Sequence, residues 1–198
     1  MFIERCILAS LDHPTIIKFY QSFKHSNKLY LLVEFCARGS LVDFLKRQGS
    51  LNNVLTKHFT AEVVLALEYM RKMEVVHRDL KPGNIVLDDN YHLKLIDFAT
   101  CKVFNKDIQA KIAAFRGKND LLRSMGYNDD NDLRPTSDTT RMNSLVGTEE
   151  YLAPETLSDM GELSYTCDYW SLGVILFQML CGATPFKGRS DLETYQNI

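Results

Sequence analysis

The sequence predicts an α+β fold with a few short strands and a larger helical part. Apolar residues recur at helical spacing in three well-separated stretches, at residues 2–8, 54–73 and 167–181. Short runs rich in β-branched and other apolar residues, bounded by polar turns, lie at residues 16–23, 29–35, 85–87 and 93–96. With 198 residues, the chain could form one domain of ordinary size or most of a larger one.

The bulk composition is that of an ordinary globular protein. Hydrophobic residues make up 45% of the chain and charged residues 24%, and the formal net charge is −2, so we expect no nucleic-acid partner. The five cysteines include no C-x-x-C pair, which favours reduced thiols over disulfides or a zinc site. No apolar run approaches the roughly 20 residues that a transmembrane segment needs. We therefore expect a soluble, cytoplasmic protein.

The first part of the chain predicts a helix, a turn and two strands. Proline disfavours helix at the residue before it, so the turn that ends in Pro14 should stop the first helix. The strand at 29–35 is almost entirely apolar, and we expect both of its faces to be covered. Ser40 then stands at the N-cap position of a helix over residues 41–48. The long helical pattern at 54–73 is assigned a scaffold role only.

The chemistry of the chain is concentrated at residues 77–84. These residues read HRDLKPGN and resemble the catalytic loop, HRDLKPxN, of the protein kinase family, with the lysine of its serine/threonine members. Phosphoryl transfer needs a carboxylate that orients the incoming hydroxyl, a cation near the γ-phosphate and oxygen ligands for Mg²⁺. Asp79 fits the first role, Lys81 the second and Asn84 the third. A hairpin after the loop can return Asp97 beside it as a second magnesium ligand. The resemblance therefore implies ATP and Mg²⁺ as cofactors.

A second stretch, residues 147–155, reads GTEEYLAPE and resembles the G-T-x-x-Y-x-A-P-E end of the activation segment in serine/threonine kinases. This resemblance places Thr148 at the site of the incoming hydroxyl. It also places Ser144 at the phosphorylation site of the activation segment. A phosphate on Ser144 would then pair with the basic side chains of Arg78 and Lys102.

Further roles follow from the same resemblance. Glu4 falls where the family has its αC-helix glutamate, and an ordinary solvated glutamate is the alternative. Val33 corresponds to the gatekeeper residue. The segment from Glu34 to Cys36 corresponds to the hinge, whose backbone binds adenine, and Val86 corresponds to the floor under adenine.

Other polar residues near these motifs are expected to be structural. His77 and Phe98 should pack rather than catalyse, with His77 hydrogen-bonded to the backbone. Asp168 corresponds to the family aspartate that holds the backbone of the catalytic loop. For Ser40 and Asp43, contact with a ribose hydroxyl stands beside the alternatives of an N-cap and a solvated acid.

The chain departs from the family pattern in its activation segment. Ala99 replaces the glycine of the Asp-Phe-Gly motif, and conformations open to glycine cost alanine on the order of 1 kcal/mol or more. We infer restricted movement of this segment with metal binding retained, and lower activity is the alternative. Gly83 stands where a glutamate is common, so no preference for basic substrates is predicted. Residues 105–141 form an insertion that we expect to be disordered, since 119–138 are mostly polar.

The resemblance covers the whole chain and implies a truncated two-lobed protein-kinase fold. Residues 1–35 would be a remnant of the N-lobe, and residues 36–198 the mostly helical C-lobe to about the αG helix. No glycine-rich phosphate loop or β3 lysine precedes Glu4, so we expect a fragment rather than a natural truncation. Within the family, residues 60–69, 101–103 and 143–156 resemble the phosphoinositide-dependent protein kinases of the AGC group.

The expected function is transfer of the ATP γ-phosphate to a serine or threonine hydroxyl of a protein. The resemblance implies other AGC kinases as substrates, and any control by lipids would belong to regions outside this chain. The alternative is a catalytically inactive kinase-like interaction protein or a non-functional fragment.

Overall fold

The computed structural model describes residues 2–26, 28–124, 149–157 and 164–198. The first half contains α1 (Phe2–Leu8), β1 (Phe19–His25), β2 (Lys28–Val33), α2 (Leu41–Gln48) and α3 (Asn53–Lys72). Four short strands follow, namely β3 (Val75–Val76), β4 (Ile85–Leu87), β5 (Leu93–Leu95) and β6 (Lys102–Val103). The later helices are α4 (Lys106–Ser124), α5 (Pro154–Leu157), α6 (Thr166–Cys181) and α7 (Asp191–Asn197). Short 3₁₀ turns lie at Pro82–Asn84 and Glu149–Tyr151.

The strands form three small antiparallel pairs, β1 with β2, β3 with β6, and β4 with β5. The second pair, which places Val76 opposite Lys102, brings the chain after the Asp97 segment back beside the start of the catalytic loop. Helices dominate the rest, so the predicted α+β class is confirmed. None of the helices in the described ranges is both long and apolar enough to cross a membrane.

Local capping explains where the helices start. The Ser40 hydroxyl accepts a hydrogen bond from the Asp43 N–H, and α2 covers the predicted residues. Asn52 caps α3 in the same way, since its side-chain oxygen accepts from the Leu55 N–H at 2.9 Å. Such caps satisfy N–H groups that have no partner within the helix, so both helices begin where the sequence predicts them.

The core lies between α3 and the elements around it. One face of α3 is buried through Phe59, Val63, Leu67 and Met70, and this helix packs against α6, β3 and β5. Burial of each such side chain contributes about 1.5–3 kcal/mol. The catalytic loop and the β4–β5 hairpin thus lie beside this core.

Two expectations about the fold are wrong. Strand β2 alternates between half-buried and exposed residues, with Leu32 46% exposed, instead of being covered on both faces. In the described residues β2 pairs with β1 alone, and an isolated hairpin exposes one face.

The second correction concerns the insertion at 105–141, because residues 106–124 form helix α4. Ile108 is buried, and Ile112, one helical turn further on, packs against the same core. The polar residues that follow in the sequence concealed this helical spacing. Phe115 continues the same spacing, and the Arg5 guanidinium lies 4.8 Å from the centroid of its ring in a cation–π contact. Helix α4 packs against α1, and residues 125–141 lie outside the described ranges.

Candidate active site

The loop after β3 is held by a buried carboxylate from α6. Asp168 is 4% exposed and accepts hydrogen bonds from the backbone N–H groups of His77, at 2.8 Å, and Arg78, at 2.9 Å. Arg78 has a φ of 71°, a left-handed conformation that costs a non-glycine residue roughly 1–2 kcal/mol. The two bonds to Asp168 offset this cost and fix the loop, so the predicted structural role of Asp168 is confirmed.

His77 links the loop to the segment that carries Asp97. Its imidazole is fully buried, with Nε2 3.0 Å from the carbonyl oxygen of Ile96 and the ring 5.4 Å from the buried ring of Phe98. The Thr100 hydroxyl donates to the His77 carbonyl at 3.1 Å. The prediction of a core histidine bound to backbone is therefore confirmed, and Phe98 packs as expected.

Two polar side chains of the loop, Lys81 and Asn84, meet at the Asp79 carboxylate. Lys81 Nζ lies 2.8 Å and 3.1 Å from its two oxygens, and the Asn84 amide nitrogen donates to Oδ2 at 3.0 Å. The same nitrogen donates to the Asp79 carbonyl at 2.8 Å. A carboxylate held by two donors has a fixed orientation, and charge-assisted bonds of this kind are the stronger ones. The predicted cluster of Asp79, Lys81 and Asn84 is therefore present.

Two side chains with oxygen donors suited to a metal come from the end of this loop and from the segment after β5. The Asn84 side chain makes its described bonds through nitrogen, so its oxygen is left as the acceptor. The Asp97 carboxylate is exposed and follows Ile96, whose N–H donates to the Asn84 carbonyl at 3.0 Å. Mg²⁺ prefers oxygen ligands and keeps waters or substrate phosphates around it, so these two side chains fit the ion.

The Asp97-Phe98-Ala99 segment accommodates alanine without strain. Asp97 takes a left-handed φ of 62° and accepts the Ala99 N–H at 3.3 Å, whereas Ala99 has no positive φ. The expected cost of alanine therefore does not arise in this conformation. Gly83 is also not required by space, since a Cβ there would meet no described atom within 4 Å.

The residues assigned to the adenine site lie at the end of β2, in the segment that follows it, and in β4. Val33 is 36% exposed, and Glu34 and Cys36 are half-buried. Neither the Glu34 carbonyl nor the Cys36 N–H takes part in a hydrogen bond within the described part of the chain. The Val86 backbone forms a β-bridge with Ser40. The Val86 side chain is half-buried, so part of it is open to a ligand.

The polar side chains of this adenine-site segment and of the start of α2 bond to other residues of the chain. Glu34 pairs with Lys94 at 3.1 Å, a contact that the sequence patterns did not predict. Burial, and then the Glu34 charge, raise the pKa of the Cys36 thiol, so this cysteine is not an activated nucleophile. Ser40 donates to Asp43 at 2.5 Å besides capping α2, and this bond lowers the pKa of Asp43. Of the alternatives for Ser40, the N-cap is thus observed.

Glu4 lies close to the Asp97 segment. Its half-buried position raises the pKa of its carboxyl group, and the charge of Asp97 raises it further, while a hydrogen bond from the Phe98 N–H lowers it. This location agrees with the expected register, but its role stays a prediction. Ser144 and Thr148 lie outside the described residues.

Taken together, these groups are of the chemical types that phosphoryl transfer uses. A buried aspartate holds a loop that presents a carboxylate, an ammonium group and a carboxamide, and a hairpin brings a second carboxylate beside it. Phosphoryl-transfer enzymes work mainly by positioning and charge neutralisation, which these groups can supply.

The chain is similar to known protein kinases along its whole length. The family model described as Protein kinase domain matches residues 1–198. The chain is 37% identical over 198 residues to the probable serine/threonine protein kinase IRE of Arabidopsis thaliana, covering 98% of this chain and 17% of that protein. It is 37% identical over 207 residues to the serine/threonine-protein kinase Warts of Drosophila melanogaster, covering 98% and 19%. It is 33% identical over 195 residues to 3-phosphoinositide-dependent protein kinase 1 of Homo sapiens, covering 98% and 30%.

The chain therefore belongs to the protein kinase family. The predicted resemblance to serine/threonine kinases, the phosphoinositide-dependent kinases among them, is confirmed. The chain spans between 17% and 30% of the length of these relatives.

Proposed function

We propose that this chain forms the catalytic part of a serine/threonine protein kinase that transfers the γ-phosphate of ATP to a protein hydroxyl. The observation that carries the proposal is the geometry at Asp79, where Lys81 and Asn84 both bond the carboxylate. A carboxylate oriented in this way can accept the proton of an incoming serine or threonine hydroxyl. Lys81, within reach of the same site, would neutralise charge on the transferred phosphate.

Asn84 and Asp97 would hold Mg²⁺ through their side-chain oxygens. When bound, the ion would neutralise the phosphate oxygens of ATP. The Glu34 carbonyl and the Cys36 N–H would bind the adenine edge, with Val33 behind it. Val86 would form the apolar floor beneath the ring.

The test is phosphate transfer from ATP to a serine-containing protein, measured with this chain and with the protein encoded by the full transcript. We expect Asp79→Asn to abolish transfer, because the carboxamide is a far weaker base. The matched control is Asp89→Asn, since Asp89 is an exposed aspartate outside the site. The alternative of an inactive kinase-like interaction protein requires no transfer by either form of the unmodified protein.

We propose further that phosphorylation of Ser144 regulates this site. Support comes from the motif register and from two basic residues near the loop, Arg78 next to His77 and Lys102 paired opposite Val76. A phosphate carries about two negative charges and can order a segment against such side chains. Unchanged activity in both Ser144→Ala and Ser144→Asp would contradict this switch.

The substrate class and location are proposals of the same kind. Other AGC kinases as protein substrates are proposed from the resemblance of residues 60–69, 101–103 and 143–156 to the phosphoinositide-dependent protein kinases. Five free cysteines support a cytoplasmic location, because such thiols persist in a reducing compartment.

A further inference from the structure

Away from the catalytic loop, three metal-ligating side chains meet where α3 packs beside the β4–β5 hairpin. His58 and Glu62 lie one turn apart on α3, and His92 lies in the turn before β5. The ligand atoms of all three lie within 4.8 Å of one another. Nothing in the proposed kinase chemistry uses these residues.

The spacing of the donor atoms is close to that of a metal site. Glu62 Oε1 lies 3.6 Å from His58 Nε2 and 2.6 Å from His92 Nδ1. Ligands at the Zn–N and Zn–O distances of about 2.0–2.2 Å in a tetrahedron lie about 3.3–3.6 Å apart. The two imidazoles are 45% and 56% exposed, so they can turn by the small amount that this requires.

The carboxylate at the centre is already held in place. Glu62 is only 12% exposed, and its second oxygen accepts the Leu93 N–H at 2.7 Å, which directs Oε1 toward the two imidazoles. The His92 N–H donates to Asp88 at 2.9 Å and fixes the turn that carries the ring. Supporting bonds of this kind orient metal ligands in known sites.

We propose that His58, Glu62 and His92 bind a divalent transition-metal ion, with Zn²⁺ the best match, and that water completes its coordination. Two imidazoles and one carboxylate suit zinc, whereas Mg²⁺ and Ca²⁺ prefer all-oxygen sites. Metal binding would move His92 Nδ1 and Glu62 Oε1 apart from their present separation of 2.6 Å. It also tethers α3 to the hairpin that leads from Asn84 to Asp97.

The test uses the untagged chain, freed of metal, and titrates it with Zn²⁺ by calorimetry. We expect one ion per chain, and at least about ten-fold weaker binding in His58→Gln and in His92→Gln, since even lost supporting contacts cost about 10–100-fold. His25→Gln is the matched control, because His25 is an exposed histidine on β1, and its binding should equal that of the unmodified chain. Equal weakening in all three variants, or no binding, overturns the proposal.

A second measurement separates this site from the cysteines. Co²⁺ bound to the chain should show no thiolate charge-transfer band, and Zn²⁺ should raise the melting temperature of the chain and of His25→Gln but not of His92→Gln. A thiolate band, or stabilisation that persists in His92→Gln, places the metal elsewhere and overturns the assignment. Both histidine substitutions lie at exposed positions, so we expect the variants to fold.

Discussion

Replacing Asp168 by alanine should be among the most damaging single changes to the stability of this chain. The substitution leaves the N–H groups of His77 and Arg78 without their buried acceptor. An unsatisfied buried donor costs about 1–3 kcal/mol, so the two together cost about 2–6 kcal/mol. Burial raises the pKa of Asp168, which shows that the ionised carboxylate itself is costly to bury, so we expect the lower half of this range.

The measurement is urea-induced unfolding followed by circular dichroism. Asp168→Asn keeps one acceptor but turns an NH₂ group toward the second N–H, so it should lose about half as much as alanine. The control is Asp89→Ala, an exposed aspartate that should change stability by no more than about 0.5 kcal/mol. If Asp168→Ala costs no more than Asp89→Ala, the two bonds do not hold the loop.

Three further predictions concern Ala99, Glu4 and His92. Because Ala99 has no positive φ, Ala99→Gly should lower the free energy of unfolding by about 0.4–1 kcal/mol, since glycine gives the unfolded chain more conformational entropy. Urea-induced unfolding measures this change, and a higher free energy of unfolding in Ala99→Gly would show that alanine is strained at this position. Burial, then the charge of Asp97, raise the pKa of Glu4, so its contribution to stability is lost as the pH rises through that pKa. Glu4→Gln should therefore stabilise the chain at neutral pH and less at acidic pH, and the reverse order in melting temperature would contradict this. The Glu62 hydrogen bond raises the pKa of His92, so in a chelator the stability lost in His92→Gln should be present below about pH 6.5 and vanish as the pH rises through the folded pKa. A loss that does not vary with pH would exclude the ion pair.

The start of α2 and the residues of the catalytic loop could be predicted closely from sequence. An N-cap such as Ser40 acts on N–H groups within one turn, so its effect is visible in neighbouring residues. The set of Asp79, Lys81 and Asn84 is likewise local, and the folded loop brings these side chains together as predicted. Asp97 required one further step, the β4–β5 hairpin, which the strand pattern indicated.

Contacts between distant segments could not be predicted in the same way. Glu62 is a charged residue of the helix predicted at 54–73, yet its side chain is only 12% exposed because the His92 turn packs against it. The polar composition of the insertion hid α4, whose order depends on burial of Ile108 and on packing against α1. The apolar pattern of β2 suggested cover on both faces, although burial depends on which other segments reach that strand.

The family, the starts of α2 and α3 and the chemical groups of the site could thus be predicted, because these depend on residue types at short spacing along the chain. The position of Glu4 near Asp97, and the meeting of two histidines and a glutamate beside the hairpin, became visible in the folded structure and in no sequence pattern. Each of these contacts joins segments far apart along the chain. Their formation depends on the packing of the whole core, which no local pattern records.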